Sequence, residues 1–141
     1  MDKSKAALQV AAANAKVLNA AVTFFQADML DPEFRLNETF DIIVSNPPYV
    51  RNLEKKEISN NVKCHEPQDA LFVPDDNALL FYAALTDFGH RHLHPGGHMY
   101  MEINQYLAKE TAQLFVNKKY KDIELKKDIF GNYRMLLAKK G

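Results

Sequence analysis

The amino-acid sequence predicts an α/β fold with a mostly parallel sheet that ends in an antiparallel strand. Three observations point there. Helix-period segments alternate with short β-branched or aromatic runs, the pattern of βα units. The last two runs flank a Phe-Gly-Asn turn, which marks a hairpin. The 141 residues, 47% hydrophobic and 26% charged, have ordinary globular composition and the size of one domain.

Each element follows in order. Residues 4 to 20 read as a helix capped by Ser4, with Leu8, Ala11, Ala12, Ala15 and Leu18 on one face; Ala7 stands where a capping box would need Glu. Residues 21 to 28, "AVTFFQAD", read as a strand. Residues 40 to 45, "FDIIVS", read as a second strand, buried on both faces because its apolar run hardly alternates. Residues 50 to 77 are charged, contain Pro67 and Pro74, and show no sustained period, which predicts a long functional or disordered loop. Ala78 to Leu93 is helical, with Phe81, Tyr82 and Phe88 as core, and "HPGG" at 94 to 97 stops it. "GHMYMEI" at 97 to 103 is a strand, and 105 to 117 is a helix with Leu107, Ala108, Thr111, Leu114 and Phe115 on one side. Residues 121 to 127 and 133 to 139 then form the terminal hairpin, with "KDIELKK" as a solvated strand.

Composition narrows the function. Eighteen basic and eighteen acidic side chains cancel, which speaks against a polyanion such as nucleic acid as the main partner. The single cysteine, Cys64, has no partner in the chain and reads as a structural or loop thiol. No apolar run approaches the ~20 residues of a membrane span, and the start lacks the order of a signal peptide; a cytoplasmic location is the expectation. His90, His92 and His94 invite a metal reading, since His90 and His94 stand one helical turn apart, but without a third ligand they read as helix-end imidazoles, and no metal is expected.

The chemistry concentrates in "SNPPYV", residues 45 to 50, at the end of the second strand. Open α/β sheets bind ligands at the carboxyl ends of their strands. Pro47 and Pro48 fix φ and remove two N–H donors, so this segment offers carbonyl acceptors in one geometry. Asn46 adds a side-chain oxygen and Tyr49 a flat ring. Together they suit a planar amino group, a carboxamide or an aminopurine, with both N–H bonds directed at acceptors and the π system stacked on the ring. Such a nitrogen needs alignment toward an electrophile more than it needs a strong base, and alignment supplies up to ~7–11 kcal/mol.

With "EPQDALF" at 66 to 72, "DKSKAALQVAAANA" at 2 to 15 and "DIFGNYR" at 128 to 134, this stretch resembles the HemK/PrmC-type glutamine methyltransferases of peptide chain release factors. The resemblance covers essentially the whole chain and implies the Rossmann-like class I S-adenosylmethionine methyltransferase fold. It implies that Asn46 and Pro47 accept from the target amide nitrogen and that Tyr49 packs on the amide plane, with Pro48, Glu66 and Pro67 on the substrate side. Asp2 matches the acid that holds the cofactor ribose, and Asp28 and Met29 match the pair beside the adenine. The implied cofactor is S-adenosylmethionine and the implied substrate the glutamine of a Gly-Gly-Gln tripeptide in a release factor.

The family's glycine-rich cofactor loop has no counterpart here, because all five glycines lie at or after Gly89. The resemblance therefore implies a partial catalytic domain, residues 1 to 141, that lacks the first two strands and any N-terminal substrate domain. It is expected to be inactive alone, with weak or absent cofactor binding. Residues 21 to 27 are then expected to lack a neighbour, and either to pair with a second copy of the chain or to re-pair beside 40 to 45. Two other readings stay open: an adenine N6 methyltransferase acting on nucleic acid, and a non-catalytic interaction module that keeps the remnant of the fold.

Overall fold

Ser4 opens the first helix as its side chain predicts. Its hydroxyl oxygen accepts from the backbone N–H of Ala7, satisfying one donor that a helix start leaves free. The computed structural model describes residues 1–58 and 66–141, so Cys64 lies outside the described residues. These residues fall into two units, Met1–Arg35 and Leu36–Gly141.

In the first unit, α1 spans Lys5–Val17. It ends before the periodicity does, because Asn19 turns left-handed at φ 51°. The N–H groups of Asn19 and Ala20 then return to the carbonyls of Lys16 and Ala15, a Schellman-type stop. Of the expected apolar face, Leu8, Ala11 and Ala15 are half-buried, while Ala12 and Leu18 are exposed. Residues 21–28 do not form the expected full strand. They make one parallel bridge, Gln26 to Asp2, whose N–H and carbonyl bond to Phe25 and Ala27 at 3.1 Å each. That bridge corrects the expectation that the segment finds no neighbour in the chain. The ladder stops at two bonds because the chain turns into α1 only three residues past Asp2.

The second unit runs β1 (Phe40–Ser45), β2 (Val50–Arg51), a 3-10 turn (Asn52–Glu57), α2 (Gln68–Leu71), β3 (Phe72–Val73), a 3-10 turn (Asp75–Asn77), and α3 (Leu80–His92). It continues with β4 (Leu93–Glu102), a 3-10 turn (Gln105–Leu107), α4 (Ala108–Asn117), β5 (Lys121–Lys127) and β6 (Tyr133–Lys139). One sheet has the order β1-β4-β6-β5, with β1 and β4 parallel and both pairs that involve β6 antiparallel. Only β6 runs against the rest, so the mostly parallel sheet with an antiparallel strand is the one observed, and α3 lies in the crossover that parallel neighbours require. Residues 21–27 are not among its strands.

Three expectations change here. The stretch 50–77 is no structureless loop: β2 and β3 pair in parallel, Val50 with Phe72 and Arg51 with Val73. Strands of two residues are too short to show a period. Next, β4 begins at Leu93, with "HPGG" inside it. Phe40 pairs with Leu93 but Ile42 with His98, so residues 94–97 bulge out of register, with Gly96 at φ 81°. A bulge is where a strand tolerates proline.

Lastly, β1 is not buried on both faces. Ile42 is 57% and Val44 75% exposed, because only the opposite face of the sheet is covered. On that covered face Met99, Met101, Leu136 and Ala138 are buried, as are Tyr82, Leu85 and Phe88 of α3 and Phe115 of α4. Phe81, expected in the core, is only half-buried. Gly89 lets α3 approach closely, since a Cβ there would lie 2.6 Å from the Tyr120 hydroxyl and 3.2 Å from the Met99 sulfur.

Candidate active site

Ser45 pairs with Met101 across β1 and β4, so Asn46 and Glu102 both stand at the carboxyl edge of the sheet, where α/β folds bind ligands. Asn46 is exposed, Pro47 buried, and Pro48 and Tyr49 half-buried. The prolines fix the turn while the asparagine amide faces outward, and among the described residues it has no hydrogen-bond partner. A groove of about 410 Å3 adjoins it, lined by Val44, Asn46, Tyr100, Glu102, Met135 and Leu137 among others.

Tyr49 is held at both ends. Its hydroxyl donates to the Glu102 carboxylate, and its backbone carbonyl accepts from Asn104 Nδ2 at 3.0 Å. Burial, then the hydrogen bond and the negative charge of Glu102, push the phenol up to about 12, with Arg134 opposing. At neutral pH Tyr49 is therefore an uncharged ring and cannot act as a base. Asn104 is 3% exposed and uses all its polar groups. Nδ2 also donates to Glu54 Oε2 at 2.8 Å, Oδ1 accepts from the Tyr106 N–H at 2.9 Å, and its own N–H donates to the Tyr82 hydroxyl at 2.8 Å.

Glu54, 4% exposed, accepts from the Arg51 backbone N–H at 2.8 Å and from its guanidinium at 2.7 Å. Burial alone would push its carboxyl up; these bonds, and the one from Asn104, outweigh that and hold it below the usual carboxylate range. The sequence reading missed Glu54, Glu102, Asn104 and Arg134. Glu102 and Asn104 could have been found as polar residues closing an apolar strand at the same edge as Asn46; nothing local marks Glu54.

Glu66 and Pro67 are exposed, and Pro67 precedes α2, where its carbonyl accepts from Ala70. Among the described residues no hydrogen bond ties them to the Asn46–Tyr49 turn. In the other unit, the bridge to Gln26 sets Asp2 two residues from Asp28 in register. The Asp2 carboxylate accepts from the Ser4 N–H at 2.7 Å and Asp28 from the Leu30 N–H at 2.9 Å; both are exposed and keep free lone pairs, while Met29 is half-buried. His94 Nε2 lies 3.0 Å from the Thr39 hydroxyl and His90 is exposed; among the described residues no group of three His, Cys, Asp or Glu could hold a metal ion. Among the described residues no helix is long and apolar enough to cross a membrane.

Comparison with known proteins adds sequence and fold. The family model described as Eco57I restriction-modification methylase matches residues 2–123. A protein of Flavobacterium psychrophilum named release factor glutamine methyltransferase is 52% identical over 96% of this chain and 47% of its own length. One of the same name from Bacteroides thetaiotaomicron is 42% identical over 97% of this chain and 49% of its own. The chain thus spans about half the length of these curated relatives. A crystal structure of a methyltransferase from Pyrococcus furiosus superposes with TM-score 0.67 over 98% of this chain and 59% of that one, at 19% identity, a likeness of fold.

Proposed function

The chain belongs to the Eco57I restriction-modification methylase family, and on that premise we propose that the whole protein methylates the side-chain amide nitrogen of the glutamine in a Gly-Gly-Gln tripeptide of a peptide chain release factor. The observation that carries the reading is the strand-end turn, with Asn46 exposed and, among the described residues, without a hydrogen-bond partner, beside a tyrosine ring anchored by Glu102. Relatives named release factor glutamine methyltransferase, aligned along nearly the whole chain, support the substrate.

Asn46 Oδ1 and the Pro47 carbonyl accept the two amide N–H bonds, and the Tyr49 ring supports the amide plane. That turns the nitrogen lone pair toward the methyl carbon. When bound, S-adenosylmethionine would supply that methyl group from its sulfonium, and the amide nitrogen that accepts it would give up one proton to solvent. The exposed carboxylate of Asp2 has the acceptor chemistry for the ribose hydroxyls of such a cofactor, and Asp28 and Met29 would stand beside its adenine. Pro48, Glu66 and Pro67 belong to the substrate side.

A second reading, compatible with a restriction-modification methylase family, has the same turn accept an adenine amino group of nucleic acid. Zero net charge leaves that reading without an electrostatic footprint. One experiment separates them: the full-length protein, labelled methyl donor, and either a Gly-Gly-Gln peptide or an adenine-containing duplex. Label in the peptide is expected. Label in the duplex alone supports the second reading, and label in neither supports a non-catalytic module. Asn46→Ala should lower peptide methylation by roughly 100-fold or more while cofactor binding persists, and retained turnover would contradict its role.

A further inference from the structure

The Asn46–Tyr49 turn is tied to the protein behind it through one buried side chain. Asn104 Nδ2 has two protons; one goes to the Tyr49 carbonyl at 3.0 Å and the other to Glu54 Oε2 at 2.8 Å. The orientation of the amide follows from its surroundings, because Oδ1 must accept the Tyr106 N–H. Glu54 is in turn held by the Arg51 guanidinium and backbone N–H, and Arg51 sits in β2, paired with Val73. The neighbouring bonds fasten the same segment: Asn52 Nδ2 to the Val73 carbonyl at 3.3 Å and the Leu53 N–H to Asp75 at 3.1 Å. The acceptor turn, the first turn of the segment after it and the end of β4 thus share one hydrogen-bonded pair.

We propose that Asn104 and Glu54 are positioning residues: together they hold the Tyr49 backbone, and through it the acceptors of Asn46 and Pro47, at the angle the target nitrogen needs. The physical case is geometric. A buried carboxylate and a buried carboxamide, each nearly without solvent contact, cost desolvation unless their bonds are made, and the bond left over reaches the acceptor turn. Aspartate at 104 would place an acceptor against both the Tyr49 carbonyl and the Glu54 carboxylate. The turn would lose its donor and be pushed from the end of β4.

This inference rests on the proposed methyl transfer, and its test keeps the two apart. In the full-length protein, with a Gly-Gly-Gln peptide and S-adenosylmethionine, Asn104→Asp should lower kcat by roughly 10- to 100-fold, since small misplacements of reacting groups cost that much. KM for the methyl donor should stay within about twofold, because neither residue touches the groups assigned to it. Glu54→Gln keeps shape and one acceptor and should lower kcat less, by roughly 3- to 10-fold; it also serves if Asn104→Asp does not fold. The carbonyl 13C resonance of Tyr49 should shift in either variant that folds. Wild-type kcat in a folded variant overturns the positioning role, as does a loss confined to donor KM. A wild-type protein that leaves the peptide unmethylated overturns the proposed function instead.

Discussion

At the scale of single residues, the place of Asn46 and Tyr49 at a strand end was legible because its cause is local: two prolines stop β1 whatever lies around. What holds Tyr49 was not legible, since Glu102 is 53 positions away and meets it only across the sheet. The raised Tyr49 phenol gives a test. In the unfolded chain it ionises near 10 and in the folded protein near 12, so its contribution to stability is fully present below pH 10 and is lost as pH rises through 12. Tyr49→Phe should therefore lose less stability than wild type between pH 10 and 12, by urea denaturation at several pH values. At neutral pH it should be less stable by about 1 kcal/mol, the usual worth of such a bond. Tyr120 titrates alike in both proteins, whereas Tyr82, raised by burial and in part by the charge on Tyr49, loses that second contribution in Tyr49→Phe, so the difference reports Tyr49 together with its effect on Tyr82.

At the scale of elements, the regular pieces followed from period and punctuation. Ser4 caps α1, and the β5–β6 hairpin matches its expected bounds. The pieces that departed are those whose form depends on a distant partner: β2 and β3, two residues each, exist through each other, and residues 21–28 have only Asp2 to pair with. The glycine in α3 belongs with these. A glycine inside a helix is ordinarily destabilising, yet at Gly89 it leaves room for Met99 and Tyr120 to come close. Gly89→Ala, a helix-favouring change elsewhere, should here cost about 1–3 kcal/mol through overpacking, read as a lowered denaturation midpoint. A gain in stability would mean that Tyr120 and Met99 yield freely.

At the scale of the molecule, the sheet is covered on one face and open on the other. Val44 is 75%, Ile42 57%, Met135 44% and Tyr100 42% exposed, an apolar area of the kind that marks an interaction surface, on a sheet whose β1 is also an edge strand. The 141-residue chain is therefore expected to self-associate in size-exclusion chromatography with light scattering, and Val44→Lys should raise the monomer fraction; a wild-type monomer at all concentrations would contradict this. By itself the sequence determined the α/β class, the first helix, the terminal hairpin and the proline turn that ends β1, because period, caps and prolines act within a few residues. Only the tertiary structure decided that β1 is half open, that Glu102 anchors Tyr49, and that Asn104 and Glu54 stand behind the turn. Those facts depend on which strands become neighbours and which face is covered, and the chain settles both only when it folds.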